Sequence, residues 1–233
     1  MIVALDVATE EEARAIVSEL GREAAAFKVG LQLFTSAGPE FVRQLAAEHR
    51  VFLDLKFHDI PNTVARAGIE AARLGVWMFN VHACGGSEML RQTVDAFRSS
   101  TLDLHARPLL IAVTVLTSSD ANTLAETGIE HSAEDQVVRL AELAFDSGMD
   151  GVVASPREVS LIRSSIPDPK FLIVTPGVRP EFATNDDQKR VTTPRQAASD
   201  GADFLVIGRP ILKSPDRLSA LVNINREIET AIK

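Results

Sequence analysis

The chain has no tyrosine, one tryptophan and one cysteine among its 233 residues. With Cys84 alone, no disulfide can form within the chain and no cysteine cluster can bind a metal. A reducing, cytoplasmic setting is the expectation. No apolar run approaches the ~20 residues that a membrane helix requires. The segment Met1-Ile2-Val3-Ala4-Leu5-Asp6 lacks the basic and long apolar regions of a secretory signal. Positive charge is also in deficit: 24 Lys and Arg face 32 Asp and Glu, for a formal net charge of −8. A general nucleic-acid binder would ordinarily be basic, so neither nucleic acid nor membrane is expected as a partner. A small anionic ligand stays compatible, because a few converging arginines can outweigh a distant net charge. His49, His58, His105 and His131 show no ligand spacing, so no metal is expected.

Hydrophobic residues make up 45% and charged residues 24%, an ordinary globular balance. Short apolar runs alternate with longer amphipathic segments along the whole chain. The runs predict strands at Ile2–Leu5, Ala26–Val29, Val51–Leu55, Met78–Val81, Leu109–Val113, Gly151–Ala154, Phe171–Val174 and Phe204–Ile207. Thr9 with Glu12 forms a capping-box pattern ahead of the apolar stripe Ala13, Ile16, Val17 and Leu20. Ser132 with Asp135 opens a helix running to Gly148. Further helices are predicted over Ala37–Glu48, Asn62–Leu74, Ser87–Ser99, Pro156–Ser164, Pro194–Asp200 and Pro215–Ile232.

Eight strand–helix units in a chain of this length predict a closed (β/α)8 barrel, the TIM-barrel class, as a single domain over 1–233. The rival, an open doubly wound sheet, is weakened by the absence of a Gly-x-Gly-x-x-Gly turn after the first strand. Two connections are unusually long, Thr117–His131 and Pro176–Thr193. Such loops in a compact domain usually serve as lids or binding loops.

The stretch Asp54-Leu55-Lys56-Phe57-His58-Asp59-Ile60-Pro61-Asn62-Thr63 carries the most chemical information. Asp54 and Lys56, two apart at the end of a strand, project from one face. Asp59 falls in the following turn and Pro61 opens the next helix. Two acids and a base within six positions make a poor core but can hold an ammonium between carboxylates and aim it at a ligand. A surface salt-bridge cluster is the plainer reading of any one such pair. Barrel active sites lie at the carboxyl ends of the strands, and the polar residues gather there. Asp6 ends the first strand and Lys28 lies late in the second. Thr117 follows the fifth, Pro176-Gly177-Val178-Arg179 follows the seventh, and Gly208-Arg209 follows the eighth. Phosphate commonly binds after strands seven and eight of this fold. Gly208 permits close backbone approach and Arg209 offers a planar fork of donors. Arg179 and Gln188 lie on the long seventh loop and could close over the same group, although Gln188 by itself reads as an exposed loop residue.

The string from Asp54 to Thr63, with its Ile-Pro-Asn-Thr continuation, resembles the active-site signature of the orotidine 5'-phosphate decarboxylase family. The resemblance extends along nearly the whole chain. It implies cofactor-free conversion of orotidine 5'-monophosphate to UMP and carbon dioxide in pyrimidine biosynthesis. It further implies that Lys56 is the catalytic lysine that protonates the product carbanion. Lys28, Asp54, Lys56 and Asp59 match the family's alternating charged array. In that array Asp59 is expected to reach the neighbouring subunit's site in a homodimer. Asp6 and Lys28 match ribosyl contacts, and Thr63 and Thr117 match ligand contacts. Ile60 and Pro176 fall among the substrate-binding positions, and Arg179, Gln188, Gly208 and Arg209 match the phosphate grip. His82 also ends a strand but reads as structural.

The nearest rival is a related barrel lyase acting on a sugar phosphate. Such enzymes share Asp-x-Lys-x-x-Asp but use magnesium with an acidic residue on the second strand, where this chain has Lys28. A non-catalytic phosphometabolite-binding barrel is the other alternative. The cost of keeping an unused buried charge cluster argues against it.

Overall fold

A computed structural model describes residues 1–100, 107–180 and 192–231. Eight parallel strands close into a barrel in sequence order. They are β1 (Ile2–Ala4), β2 (Ala26–Gly30), β3 (Val51–Phe57), β4 (Met78–His82), β5 (Leu109–Val113), β6 (Gly151–Val153), β7 (Leu172–Pro176) and β8 (Phe204–Ile207). The circle closes where Ile2 and Val3 of β1 pair with Val206 and Ile207 of β8.

The helices follow their punctuation. Thr9 accepts the Glu12 amide to start α1 (Glu10–Leu20), and Ser132 accepts the Asp135 amide to start α6 (Ala133–Asp146). Pro61 stands first in α3 (Pro61–Arg73), where its missing N–H costs nothing. α4 covers Gly86–Ser99, α7 Val159–Ser165, α8 Pro194–Ser199 and α10 Arg217–Glu229. Residues 156–158 form a separate 3₁₀ turn ahead of α7.

Three helical segments differ from the periodicity reading. α2 runs over Leu31–Glu48, starting six residues earlier than expected, because Leu33 is buried under the barrel wall. Its two halves meet at Gly38, whose φ of 76° only glycine adopts at little cost, followed by Pro39. α5 (Ala121–Glu126), capped by Asp120, lies inside the long connection after β5. α9 (Arg209–Leu212) is a single turn directly after β8. Both are too short to leave a periodic signal. Much of the other long connection lies outside the described residues.

Alternation along each strand divides the core into two layers. Val3, Phe27, Leu53, Phe79, Ile173 and Leu205 face the helices. Ile2, Ala4, Ala26, Phe52, Met78, Ile111, Val174 and Val206 fill the lumen as a packed plug. Towards the amino ends of the strands, Trp77 stacks edge-on against Phe204 and receives Arg50 over its ring. That end of the lumen is sealed with apolar mass, and the lumen opens into a cleft at the carboxyl ends.

Gly151 marks the tightest point of the wall, because a Cβ there would overlap the Leu172 carbonyl of the paired strand. Backbone cannot yield as a flexible side chain can. Gly151→Ala should therefore destabilise at the upper end of the roughly 1–3 kcal/mol typical of overpacking. In a chain of this size that is a fall in Tm on the order of 5–10 °C. A thermal melt followed by circular dichroism checks it.

Candidate active site

The register of the barrel raises the charged residues from its apolar plug. Two positions above Ala26, Phe52 and Met78 on the same face stand Lys28, Asp54 and Asn80. Asp6 stands two above Ala4, just past the end of β1. These side chains meet in a cleft of about 1130 Å³ at the carboxyl ends of the strands, with Ala4, Phe52, Val153 and Val206 among its lining.

Asp54 is the centre of the cluster. Its Oδ1 receives the Lys56 ammonium at 2.6 Å, and its Oδ2 lies 3.3 Å from Lys28 Nζ. Lys28 Nζ in turn lies 3.2 Å from Asp6 Oδ1. The four side chains thus form an alternating chain of charge, Asp6–Lys28–Asp54–Lys56. Exposure is graded along it: the side chains of Lys28 and Asp54 are 11% and 12% accessible, Lys56 29% and Asp6 54%. Burial by itself would raise the Asp54 carboxyl. The charges of Lys28 and Lys56, with hydrogen bonds from Lys56 and Asn80, outweigh it and hold the group below its usual value. Asp54 is therefore ionised at neutral pH, an anion kept buried by two cations.

The backbone at this point is irregular. Leu53 pairs with Phe79, but Phe57 pairs with Val81, so three residues of β3 stand opposite Asn80 alone. The bulge places Lys56 at φ 53°, the one non-glycine residue with positive φ among the described residues. A strained backbone at a strand end carrying an ammonium is characteristic of a functional position. Asn80, 1% exposed, fills the gap left by the bulge. It donates from Nδ2 to Asp54 Oδ1 at 2.7 Å and accepts the Lys56 amide at Oδ1, 2.8 Å away. Sequence reasoning alone does not single out Asn80 as a site residue. Its signal was an amide inside the otherwise apolar Met78-Phe79-Asn80-Val81, on the inward parity.

The remaining expected residues divide into two groups. Thr117, Pro176, Arg179, Gly208 and Arg209 line the same cleft as the charged cluster. Gly177, with φ 78°, turns the chain after β7, and the Arg179 amide bonds the Thr192 carbonyl across the neck of the long connection. Gly208 approaches β1 so closely that a Cβ would stand 3.0 Å from Asp6 Oδ2 and 3.2 Å from the Ala4 Cβ. Any larger residue would push into the cluster. Arg179 and Arg209 bring positive charge to one side of the cleft, and neither has a carboxylate partner among the salt bridges of the described residues.

Asp59, Ile60 and Thr63 are absent from the cleft lining of their own chain. Asp59 is exposed, its Oδ1 accepting the Ile60 amide at 2.7 Å, and Ile60 is 67% accessible. Gln188 lies outside the described residues. His82 sits inward at the end of β4 with its ring 5.6 Å from that of His58. Burial first, then the charges of His58 and Lys56, lower its pKa, so it is neutral at physiological pH. Among the described residues no three His, Cys, Asp or Glu side chains converge to hold a metal ion. No helix among them is long and apolar enough to cross a membrane.

Residues 1–224 match the family described as Orotidine 5'-phosphate decarboxylase / HUMPS. The chain is 53% identical over 236 residues to the orotidine 5'-phosphate decarboxylase of Trichlorobacter lovleyi, covering 100% of this chain and 96% of that one. It is 54% identical over 229 residues to the protein of that name from Pelobacter propionicus, covering 98% and 94%. The crystal structure of orotidine 5'-phosphate decarboxylase from Lactobacillus acidophilus is similar at TM-score 0.86 and 40% identity, covering 98% of each chain. With sequence matched almost end to end and the fold matched over 98% of a solved relative, this chain belongs to the orotidine 5'-phosphate decarboxylase / HUMPS family.

Proposed function

We propose that this protein decarboxylates orotidine 5'-monophosphate to UMP and carbon dioxide, without a cofactor, as a cytoplasmic enzyme of pyrimidine biosynthesis. The observation that carries the reading is the ionised Asp54 held between Lys28 and Lys56 at the head of the barrel, with Arg179 and Arg209 in the same cleft.

Loss of carbon dioxide from C6 of the pyrimidine leaves an electron pair in the plane of the ring, where the π system cannot spread it. Stabilisation has to come from fixed charge. The Lys56 ammonium, already oriented by Asp54, supplies that charge as the C–C bond breaks and then gives its proton to C6. The electron pair of the broken bond takes that proton, and carbon dioxide departs neutral. Asp54, ionised beside the departing carboxylate, adds a repulsion that is relieved as carbon dioxide leaves. Lys28 bridges Asp54 and Asp6, which suits it to fix the ribosyl hydroxyls along with Asp6. Arg179, Gly208 and Arg209, with Gln188, take the phosphate. Thr117 and Pro176 complete the wall against which the nucleotide lies. Binding energy from the phosphate, remote from C6, contributes to rate only if it closes the loops and assembles the site.

A magnesium-dependent sugar-phosphate lyase of the same barrel is the second reading, because the family description covers more than one activity. Lys28 is the observation against it, since an ammonium occupies the strand-two position where that chemistry requires a carboxylate. Loss of ultraviolet absorbance from orotidine monophosphate, measured with excess chelator, separates the two. Activity that survives chelation supports the decarboxylase, whereas no activity on this substrate removes the reading. In the same assay Lys56→Ala should leave the fold intact and nearly abolish turnover. Proton donation and charge stabilisation are usually worth roughly 10²–10⁴ and 10²–10³ when lost separately. Activity within about tenfold of wild type, against those magnitudes, would take Lys56 out of the mechanism.

Arg209→Ala should weaken nucleotide binding while leaving the lysine cluster in place. One charge-assisted contact contributes about 1.5–3 kcal/mol, or roughly one to two decades in kcat/KM. Unchanged kinetics would place the phosphate elsewhere.

The exposed Asp59, outside its own cleft, suits a two-fold homodimer in which each subunit lends this carboxylate to the other's site. Lys56→Ala and Asp59→Ala, each inactive alone, should then complement on subunit exchange. One site of a mixed dimer carries both lesions and the other neither, so a random mixture should recover roughly a quarter of wild-type activity. Exchange detected by mass spectrometry without recovered activity would return Asp59 to its own chain.

A further inference from the structure

The bulge in β3 raises a structural problem that Asn80 solves. Between Leu53–Phe79 and Phe57–Val81 the two strands are out of step, and Asp54, Leu55 and Lys56 face one residue of β4. Over such a stretch regular ladder bonds are lost, and backbone groups near the lumen need other partners. Lys56 also occupies a left-handed conformation that an unbranched side chain tolerates but does not favour. Something has to hold it there, and the Lys56 amide donates to the Asn80 carboxamide oxygen at 2.8 Å.

We infer that Asn80 is a positioning residue, a two-ended clamp that sets both the Lys56 backbone and the Asp54 carboxylate. Its two ends are chemically different, and both are used. The oxygen grips the backbone of the residue bearing the ammonium, and the nitrogen grips the oxygen atom of Asp54 that also receives that ammonium. Asp54, Lys56 and Asn80 therefore close a ring of three hydrogen bonds, in which moving any member displaces the other two. Asn80 is 1% exposed and reaches no bulk water, so neither end has a substitute partner. Aspartate has the acceptor but not the neutral donor, and serine is too short to span both. The inference rests on the decarboxylase reading for its kinetic consequence, though not for the geometry.

The titratable groups facing Asn80 are Asp54 and Lys56 on β3, Lys28 on β2, and His82 on its own strand with His58 beyond it. Asn80→Asp keeps the acceptor for the Lys56 amide and places a second carboxylate against Asp54. Two carboxylates at such a distance cannot both ionise easily, so the pair takes up a proton at a raised apparent pKa. Below that pKa the introduced group is protonated and donates to Asp54 as the amide does; above it the two repel. The kcat of Asn80→Asp should therefore fall as pH rises, along a limb additional to those of wild type. Asn80→Ala should lose on the order of 10²-fold in kcat at every pH, the scale of a misplaced reacting group, with kcat/KM falling equally.

Wild-type activity on orotidine monophosphate is measured first, so that its absence counts against the decarboxylase reading alone. Hydrogen exchange of the Lys56 amide in the wild-type protein, with and without UMP, then tests the clamp independently of turnover. Slow exchange in wild type, together with the new pH limb in Asn80→Asp, supports the inference. Fast exchange in wild type overturns it even if neither variant folds. A loss in Asn80→Asp that is independent of pH, or kinetics in both variants equal to wild type, also overturns it.

Discussion

A carboxylate buried at the head of a parallel barrel is tolerable only if cations come with it. Asp54 is in that position, and most of what surrounds it follows. Removing an ionised carboxyl from water costs several kcal/mol even after relaxation. Lys56 at 2.6 Å, Lys28 at 3.3 Å and the Asn80 amide at 2.7 Å together offset that cost, since the group titrates below its usual range despite its burial. The arrangement also binds the lysines. With Asp54 as their shared partner, both ammoniums are oriented in a wall that an apolar plug keeps dry from beneath. Charges held in place by one another and by the barrel wall have little freedom to reorient, which suits them to electrostatic work.

The same constraint accounts for local oddities that would otherwise look like defects. The register slip between β3 and β4 and the positive φ of Lys56 bring two consecutive inward positions of one strand, 54 and 56, into hydrogen-bonding contact. On a regular strand those side chains would stand side by side, about two rises apart, and would not close on each other so directly. Gly208 leaves the space that Asp6 occupies, and so admits the outer end of the charge chain. Strain at Lys56 and the missing side chain at 208 are compensated elsewhere by ordinary barrel packing. That is the usual distribution in enzymes.

The two-layer core explains why function sits on one face. Residues facing the helices are mostly apolar, and along β2, β3 and β4 the inward residues change character, from Ala26 to Lys28, from Phe52 to Asp54 and from Met78 to Asn80. On these three strands a step of two residues leads from plug to site, and Lys28, Asp54 and Asn80 therefore stand together above it. The cleft of about 1130 Å³ is roomy for a nucleotide, as expected where long connections after β5 and β7 border it.

Much of this was legible in the chain itself. Strand count, order and placement followed from apolar runs of four or five residues, because parallel strands buried on both sides leave a continuous signal. Asp6, Lys28, Asp54, Lys56, Thr117, Pro176, Arg179, Gly208 and Arg209 were assigned to one rim by their positions at strand ends, and they line one cleft. The short helices α5 and α9 and the first half of α2 were not legible, since a few residues carry no period and a glycine–proline pair reads as a boundary. Tertiary structure alone decided three things. It decided that β3 slips against β4, that Asn80 fills the slip, and that Ile60 and Thr63 do not line the cleft of their own chain whereas Asp54 and Lys56 do. Sequence spacing reports which face of a strand a residue occupies. It cannot report a register shift between two strands, because that depends on how both close with six others around a barrel.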